Sequence, residues 1–313
     1  MKTAFIFPGQ GSQSIGMGLD LYQNFSVART VFEEVDEALG QKLSTLMFEG
    51  NADELMQTQN AQPAIMSVGM AMLKVLESET GKTISDLADC VAGHSLGEYT
   101  ALCAAGALNV ADTAKLLRLR GLAMAEAANE RSGGMAAVLA LTKEQVADII
   151  ANTDLMGEIC VIANDNCPGQ IVISGQDNAL NAVMEACLKA GAKRAIKLAV
   201  SGGFHSPLMQ GAAEKMKEVL AETSMTNPIV PVVCNVLAEP VQNVDEIKDL
   251  LVRQVTGSVL WTDSLHKMVD GMGIERFVEC GNGKVLSGLV KKTYPDIPTV
   301  PLSNASDIAS FLK

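Results

Sequence analysis

The order of hydrophobic and polar positions along the chain predicts alternating strands and helices, and therefore a protein of the α/β class. Short apolar runs predict buried strands at 3–7, 89–93, 230–235 and 276–279. Apolar residues at helical spacing predict helices near 28–40, 63–78, 112–129, 207–222, 244–256, 258–270 and 284–293. Pro63 is expected in the first turn of its helix, where a missing backbone N–H is tolerated.

The pattern between residues 132 and 199 differs from its surroundings. It predicts a strand at 135–141, a helix at 143–152, strands at 159–163 and 170–174, a helix at 176–190 and a strand at 193–198. This strand-helix-strand-strand-helix-strand order is that of a ferredoxin-like unit. We therefore expect an inserted subdomain at 132–199 between two parts of a larger α/β domain, 1–131 and 200–313.

Composition narrows the protein class and its partners. Hydrophobic residues make up 48% and charged residues 19%, which excludes a disordered chain. The 24 Lys and Arg against 36 Asp and Glu give a net charge of −12, so neither nucleic acid nor an anionic membrane surface is expected as the main partner. The longest uncharged stretches, 99–111 and 198–213, contain glycine and polar residues and fall short of the roughly 18 apolar residues of a spanning helix.

Cysteine usage and the N-terminal segment predict the compartment. The seven cysteines are odd in number and show no C-x-x-C spacing, which favours reduced thiols. The first apolar run ends at once at Pro8, so no signal-peptide core is present there. A cytoplasmic protein is expected.

The segment Gly93-His94-Ser95-Leu96-Gly97 has the G-x-S-x-G form of a nucleophile elbow. This form also occurs by chance in glycine-rich chains, but here an apolar strand precedes it and a small-residue helix follows it. In that context the sharp turn exposes the serine, and the glycines relieve steric clashes. The helix N-terminus directs free N–H groups at developing negative charge. Ser95 is therefore the predicted nucleophile.

A nucleophilic serine needs a base, and the chain has three histidines. His94 adjoins Ser95 on the turn, so its side chain is expected to point into neighbouring structure. His266 lies in a helical segment and is expected at the surface. His205 lies in the glycine-rich segment 201–207, between a strand and a helix, where functional groups concentrate. Elimination favours His205 as the general base.

The order of these residues along the chain differs from that of α/β-hydrolases, where serine, acid and histidine follow in turn. The acids that lie between, such as Asp165 and Asp177, belong to the predicted insertion. An amide or a backbone carbonyl is therefore expected to orient His205. No H-G-G-G element precedes Ser95, so an ordinary esterase fits the sequence poorly.

Arg120 lies in the middle of an apolar helix face with Leu116, Ala123 and Ala127, whereas Arg118 points to the opposite side. A buried guanidinium is costly unless it meets an anion. Two interpretations remain. Arg120 forms a buried salt bridge, or it binds a substrate carboxylate through two parallel hydrogen bonds.

The segment 8–13 ends the first predicted strand. Its Gly9 and Gly11 begin a G-x-G-x-x-G pattern, but position 14 is serine, so the dinucleotide-binding fingerprint fails. A Gly-Gln-Gly turn at a strand end can instead place a backbone N–H beside a neighbouring strand end, as one half of an oxyanion hole.

Together these segments resemble the malonyl-CoA:acyl carrier protein transacylases. The matching motifs run in order along almost the whole chain: F-P-G-Q-G-S-Q at 7–13, G-H-S-L-G-E-Y at 93–99, L-R-G at 119–121, N-C-P-G-Q at 166–170, F-H-S at 204–206, V-R-Q at 252–254, W-T at 261–262 and G-K-V-L at 283–286. The resemblance implies an α/β-hydrolase-like core with a ferredoxin-like subdomain, in agreement with the predicted insertion. Asn282 departs from the usual G-P-G-K motif of the family and is expected away from the catalytic residues.

The resemblance also implies roles for individual residues. By position, Ser95 and His205 would be nucleophile and base, and Arg120 would bind the malonyl carboxylate. The backbone amides of Gln10 and Leu96 would form the oxyanion hole, and the main-chain carbonyl of Gln254 would orient His205. Gln62 matches a glutamine of the family's pocket. Phe204 and Leu96 match residues that accompany a preference for malonyl over methylmalonyl.

The implied reaction moves malonyl from malonyl-CoA to the phosphopantetheine thiol of acyl carrier protein, through a malonyl-serine, in fatty-acid biosynthesis. Coenzyme A and acyl carrier protein are the expected partners, no metal or other cofactor is expected, and the chain is expected to be a monomer. A serine thioesterase or esterase, an acyltransferase serving a polyketide synthase, and a non-catalytic carrier-binding module stay open as alternatives. Because acyl carrier proteins are acidic, they are expected to dock on local basic patches. The candidates are Lys189, Lys193, Arg194, Lys197, Lys284, Lys291 and Lys292.

Overall fold

Two β-sheets surrounded by helices make up the structure, a computed structural model that describes residues 1–312. The strands are β1 Thr3–Phe7, β2 Cys90–Gly93, β3 Gly134–Leu139, β4 Cys160–Cys167, β5 Gln170–Gly175, β6 Arg194–Lys197, β7 Val232–Val233, β8 Pro240–Val241, β9 Val259–Leu260, β10 Arg276–Cys280 and β11 Thr299–Leu302. The helices are α1 Leu19–Asn24, α2 Ser26–Leu39, α3 Leu43–Glu49, α4 Ala52–Met56, α5 Thr58–Thr80, α6 Ile84–Leu87, α7 Gly97–Ala104, α8 Val110–Glu130, α9 Lys143–Asn152, α10 Asp177–Lys189, α11 Gln210–Glu222, α12 Val244–Thr256, α13 Trp261–His266, α14 Val285–Thr293 and α15 Ala305–Phe311. The predicted α/β class is confirmed.

The first sheet has the strand order β11-β10-β1-β2-β7-β8 and is parallel except for β8. Helices cover both of its faces, which explains why β1 and β2 are continuously apolar and buried instead of alternating. In the register of the sheet Phe7 lies opposite Gly93. The chain segments that leave the carboxyl ends of β1 and β2 are therefore neighbours, and both carry predicted site residues.

The second sheet has the strand order β6-β3-β5-β4-β9. Its first four strands are antiparallel neighbours, and with α9 and α10 they follow the predicted strand-helix-strand-strand-helix-strand order. The sheet continues beyond the predicted insertion, because β9 pairs with β4 in parallel through Asn164 and Val259. A strand from the C-terminal part of the chain thus joins the sheet of the inserted segment.

Three element predictions are wrong in detail. The helix expected at 63–78 begins at Thr58, so Pro63 lies in its second turn. The burial of most residues of this helix offsets the missing hydrogen bond. The strand expected at 230–235 is only Val232–Val233, because Pro231 lacks an N–H and the chain turns back into β8. The helix expected at 258–270 is β9, then α13, then a π-helical turn at Lys267–Gly271.

Helices α5 and α8 pack closely beside the first sheet. A Cβ atom added to Gly121 would lie 2.4 Å from the Cα of Gln59, so a larger residue at this crossing would push the helices apart. This close approach presents Arg120, the residue before Gly121, to the interior. All seven cysteines are buried and unpaired. No helix in residues 1–312 has the length and apolar character needed to cross a membrane.

Candidate active site

A cleft of about 390 Å³ lies at the carboxyl ends of β1 and β2, where ligands of parallel sheets usually bind. The inserted segment supplies the opposite wall through Met135 and Asn164. Most of the predicted site residues line this cleft: Gln10, Ser95, Leu96, Arg120, Phe204 and His205. The other two, Gln62 and Gln254, lie behind its wall, where they contact Arg120.

The turn between β2 and α7 holds Ser95 in a conformation that side-chain-bearing residues rarely adopt, with φ of 54°. A Cβ on Gly93 would lie 1.9 Å from the carbonyl oxygen of Gly97, and a Cβ on Gly97 would lie 2.2 Å from that of Phe7. Both positions therefore require glycine. The turn has the geometry of a nucleophile elbow and presents the serine hydroxyl to the cleft.

Ser95 and His205 are hydrogen-bonded, with 2.8 Å between Oγ and Nε2. The other ring nitrogen, Nδ1, lies 2.9 Å from the carbonyl oxygen of Gln254 and 3.2 Å from that of Gly257. Carbonyl oxygens only accept, so Nδ1 carries the hydrogen and the Nε2 lone pair faces the serine. Because α12 ends at Thr256, the Gln254 carbonyl is in its last turn and is free to accept this bond. The ring nitrogen thus contacts backbone carbonyls, one of the two kinds of group expected from the sequence, and no carboxylate of the described residues.

The environment keeps His205 neutral. Burial, followed by the positive charge of Arg120, lowers the pKa of His205 to about 3. A neutral imidazole with a free Nε2 lone pair is the form that can accept the serine proton.

Arg120 is buried and surrounded by neutral oxygen atoms. Its Nη1 donates to Gln62 Oε1 at 2.8 Å, and its Nη2 donates to Gln254 Oε1 at 2.9 Å and to Ser95 Oγ at 3.1 Å. Its Nε has no hydrogen-bond partner within residues 1–312. No carboxylate of those residues lies within 4.0 Å of the guanidinium, so the salt-bridge interpretation is wrong. A buried cation with one guanidinium nitrogen beside the serine and no carboxylate partner among these residues can bind an external anion.

Two backbone N–H groups near Ser95 are available to form an oxyanion hole. Among the described residues, neither the N–H of Gln10 nor that of Leu96 has a hydrogen-bond acceptor, and both residues line the cleft. The segment that carries Gln10 is braced by Asn282, whose Nδ2 donates to the Ser12 carbonyl at 2.5 Å and to Ser14 Oγ at 2.9 Å. Asn282 itself does not line the cleft, and its hydrogen bonds go to neither Ser95, His205 nor Arg120. It reaches the segment after β1 because β10 and β1 are neighbouring strands.

A hydrogen-bond chain links this segment to the guanidinium. Gln10 Oε1 accepts from Thr58 Oγ1 at 3.2 Å, which in turn accepts from Gln62 Nε2 at 2.8 Å. Gln62 Oε1 then accepts from Arg120. The predicted pocket glutamine therefore positions Arg120 from behind the cleft wall.

The other two histidines behave as expected. His94 Nε2 lies 2.8 Å from Asn166 Oδ1, and its ring packs against Trp261, so it points into the inserted segment. His266 is half exposed and contacts Tyr294 Oη through Nδ1 at 2.6 Å.

Two residues around the site were not predicted from the sequence. Asn235 clamps the elbow, since its Oδ1 accepts from the Ser95 N–H at 2.7 Å and its Nδ2 donates to the Gly93 carbonyl at 2.7 Å. Glu98 is completely buried and accepts from Gln254 Nε2 at 2.9 Å. A glutamate at the start of an otherwise apolar helix was a usable sequence signal. No sequence signal marked Asn235, because the strand that precedes it, β7, has only two residues.

Comparison with known proteins agrees with this geometry. The family model of the acyl transferase domain matches residues 4–303. The malonyl CoA-acyl carrier protein transacylase of Bacillus subtilis is 45% identical over 307 residues, which cover 98% of this chain and 95% of that one. The chain belongs to the malonyl CoA-acyl carrier protein transacylase family. It is therefore an acyltransferase, and the resemblance seen in the sequence is confirmed.

Solved structures of this transacylase family share the whole fold. The acyl-carrier-protein S-malonyltransferase of Bartonella henselae is 47% identical with a TM-score of 0.95, over 100% of this chain and 98% of that chain. A malonyl-transacylase solved in complex with its type II PKS acyl-carrier protein is 35% identical with a TM-score of 0.94, over 99% of this chain and 98% of that chain.

Proposed function

We propose that this acyltransferase transfers malonyl from malonyl-CoA to the phosphopantetheine thiol of acyl carrier protein, in fatty-acid biosynthesis. The position of Arg120 carries this proposal, because its Nη2 is 3.1 Å from Ser95 Oγ. In a malonyl-serine ester, one methylene separates the ester carbonyl from the free carboxylate. That carboxylate would reach the guanidinium without leaving the cleft.

In the proposed first half-reaction, Ser95 Oγ attacks the thioester carbonyl while its proton passes to His205 Nε2. The oxyanion of the tetrahedral intermediate accepts hydrogen bonds from the Gln10 and Leu96 N–H groups. The C–S bond then breaks, and coenzyme A leaves as a thiol with the proton from the histidine. The Gln254 carbonyl stabilises the transient imidazolium through Nδ1.

In the second half-reaction, the thiol of acyl carrier protein gives its proton to His205 and attacks the malonyl-Ser95 ester. The ester C–O bond breaks, and the serine oxygen recovers the proton. These steps require no cofactor, because a thioester is already activated and the base is a side chain. Phe204 and Leu96 border the cleft and are proposed to narrow the space beside the malonyl methylene, which disfavours a methyl branch.

The proposed architecture is an α/β-hydrolase-like core of residues 1–131 and 200–313 with a ferredoxin-like subdomain at 132–199. The order β6-β3-β5-β4 and the two helices between these strands support the subdomain, and the parallel order β10-β1-β2-β7 supports the core. Residue 313 lies outside the described residues. The cleft between the two units is where the acyl group would be held.

Intact-mass measurement tests the function. The protein is incubated in parallel with malonyl-CoA, acetyl-CoA and methylmalonyl-CoA, with Ser95→Ala as the control. The wild type should gain a malonyl adduct in preference to the others, lose it to the carrier thiol, and hydrolyse it slowly without an acceptor.

Other outcomes of the mass measurement separate the alternatives. Rapid loss of the adduct to water would favour a thioesterase or esterase, and no adduct at all would favour a carrier-binding module. Discharge to a polyketide carrier in preference to a fatty-acid carrier would assign the enzyme to polyketide synthesis.

A further inference from the structure

Glu98 is a completely buried carboxylate that the steps above do not use. It lies in the first turn of α7, three residues after the nucleophile. Its Oε2 accepts from Gln254 Nε2 at 2.9 Å and from the Asn235 N–H at 3.0 Å, whereas its Oε1 has no partner within residues 1–312. An anion with half of its acceptor capacity unused is costly at such a depth.

Gln254 connects this carboxylate to the proposed malonyl site. One end of its side-chain amide donates to Glu98, and the other end accepts from Arg120 Nη2 at 2.9 Å. Glu98 is thus one amide group away from the guanidinium. It is close enough to interact with the positive charge, but it does not form a direct ion pair with it.

Of the titratable groups that face Glu98, a tyrosine and a cysteine are neutral near pH 7 and an arginine is charged. Tyr99 follows it on α7, and burial raises the pKa of Tyr99 to about 12. Cys234, in the segment after β7, contacts it, and burial raises the pKa of that thiol above its usual value. Arg120 on α8 is the charged group that faces it. Burial raises the pKa of Glu98 to about 7, against the opposing effects of its hydrogen bonds and of Arg120.

We propose that Glu98 is a positioning residue that couples malonyl binding to a proton. It balances Arg120 while the cleft is empty and takes up a proton when the malonyl carboxylate pairs with Arg120. This inference rests on the proposed function.

The coupling follows from two carboxylates that share one cation. When the malonyl carboxylate binds Arg120, a second negative charge enters the same buried region, and the ionised form of Glu98 becomes less favourable. By linkage, protonation of Glu98 strengthens malonyl binding by the same factor. An acetyl group has no carboxylate and is therefore not coupled.

The test is the ratio of kcat/KM for malonyl-CoA to kcat/KM for acetyl-CoA, measured between about pH 6 and pH 9. Titrations of coenzyme A and of the acceptor thiol affect both donors and cancel in the ratio. In the wild type the ratio should fall by about three- to tenfold as the pH rises. Glu98→Gln keeps an acceptor for Gln254 and removes the charge, so its ratio should be independent of pH and equal to the acidic value of the wild type.

Glu279→Gln is the matched control. Glu279 is also completely buried, and its carboxylate accepts the N–H groups of Leu286 at 3.0 Å and Ser287 at 2.7 Å, away from the cleft. This variant should keep the slope of the wild type. A flat wild-type ratio, or an unchanged slope in Glu98→Gln, overturns the inference.

A second measurement needs no variant. In weakly buffered solution near neutral pH, a single turnover of wild-type enzyme with malonyl-CoA should take up more protons than one with acetyl-CoA. Equal proton uptake contradicts the role of Glu98. Absence of a malonyl-enzyme would instead contradict the proposed function, so the two failures are distinguishable.

Discussion

The proposed selectivity for malonyl depends on one side chain, Arg120. Its guanidinium is held by Gln62 and Gln254 and retains an unpaired Nε. Two charge-assisted hydrogen bonds to a carboxylate contribute about 1.5–3 kcal/mol each. Their sum, roughly 3–6 kcal/mol, corresponds to a preference on the order of a hundred- to ten-thousand-fold over an acyl group without a carboxylate.

Replacing this arginine should remove the preference and leave the serine chemistry. Arg120→Ala is expected to lose most of its discrimination between malonyl-CoA and acetyl-CoA while still forming an acetyl-enzyme, measured as kcat/KM for each donor and by intact mass. Arg118→Ala is the control, because Arg118 donates to Asn60 and Gln41 on the other side of α8. Retention of a strong malonyl preference in Arg120→Ala would show that another group selects the substrate.

The buried histidine makes stability depend on pH in a defined direction. His205 has a pKa of about 3 in the folded state and about 6.5 when exposed. As the pH falls below about 6.5, the unfolded state takes up a proton that the folded state does not, so the free energy of unfolding falls. Glu98, whose pKa is raised, acts in the opposite sense.

Comparison with a variant isolates the effect of the histidine. Between about pH 7.5 and pH 4.5 the wild type should lose more unfolding free energy than His205→Gln, measured by urea denaturation at each pH. An equal loss in both proteins would mean that His205 is not held neutral by the fold.

At the scale of elements, the crossing of α5 and α8 places the guanidinium. Gly121 allows the backbones to approach so closely that an added Cβ would lie 2.4 Å from the Cα of Gln59. The same contact holds Gln62, three residues further along α5, within hydrogen-bonding distance of Arg120. Helix packing and the position of Arg120 therefore depend on one small residue.

Gly121→Ala should separate the helices and displace Arg120. We expect a loss of about 1–3 kcal/mol in unfolding free energy, together with a lower malonyl-to-acetyl ratio. Gly288→Ala on α14 is the control, because an added Cβ there meets no atom within 4 Å. It should be neutral or slightly stabilising in the same urea unfolding experiment. Wild-type stability and selectivity in Gly121→Ala would contradict the importance of the crossing.

At the scale of the whole molecule, the net charge of −12 opposes an acidic carrier protein. Docking is then expected to depend on local cations. Lys193 and Arg194 are two of the candidate docking cations; they are adjacent and exposed where β6 begins.

Charge reversal separates docking from chemistry. Lys193→Glu with Arg194→Glu should slow malonyl transfer to acyl carrier protein by about tenfold or more at low salt and leave malonylation of Ser95 by malonyl-CoA nearly unchanged. Both half-reactions are measured separately by rapid quench. Lys217→Glu, at an exposed position on α11, controls for the change in net charge. Equal slowing by this control would exclude a local docking patch.

The sequence by itself determined the elements and residues that follow from local rules. Glycines that no other residue can replace encode the elbow at 93–97. Apolar spacing around Arg120 encodes the buried face of α8. The alternation of predicted strands and helices marks the inserted segment. Each of these appears as a pattern among residues close together in the chain, so it is visible without a structure. The requirement for glycine at 97 has in addition a tertiary cause, the carbonyl oxygen of Phe7.

Only the tertiary structure decided how these residues act together. Gln254 contacts the backbone of Ser95 although 159 positions separate the two residues along the chain. Asn235 is hydrogen-bonded to the same turn at a separation of 140 positions. Two-residue strands such as β7 and β9 exist because partners supply their hydrogen bonds. These contacts depend on sheet register and helix crossing, which bring distant segments together, and no local pattern of residues records them.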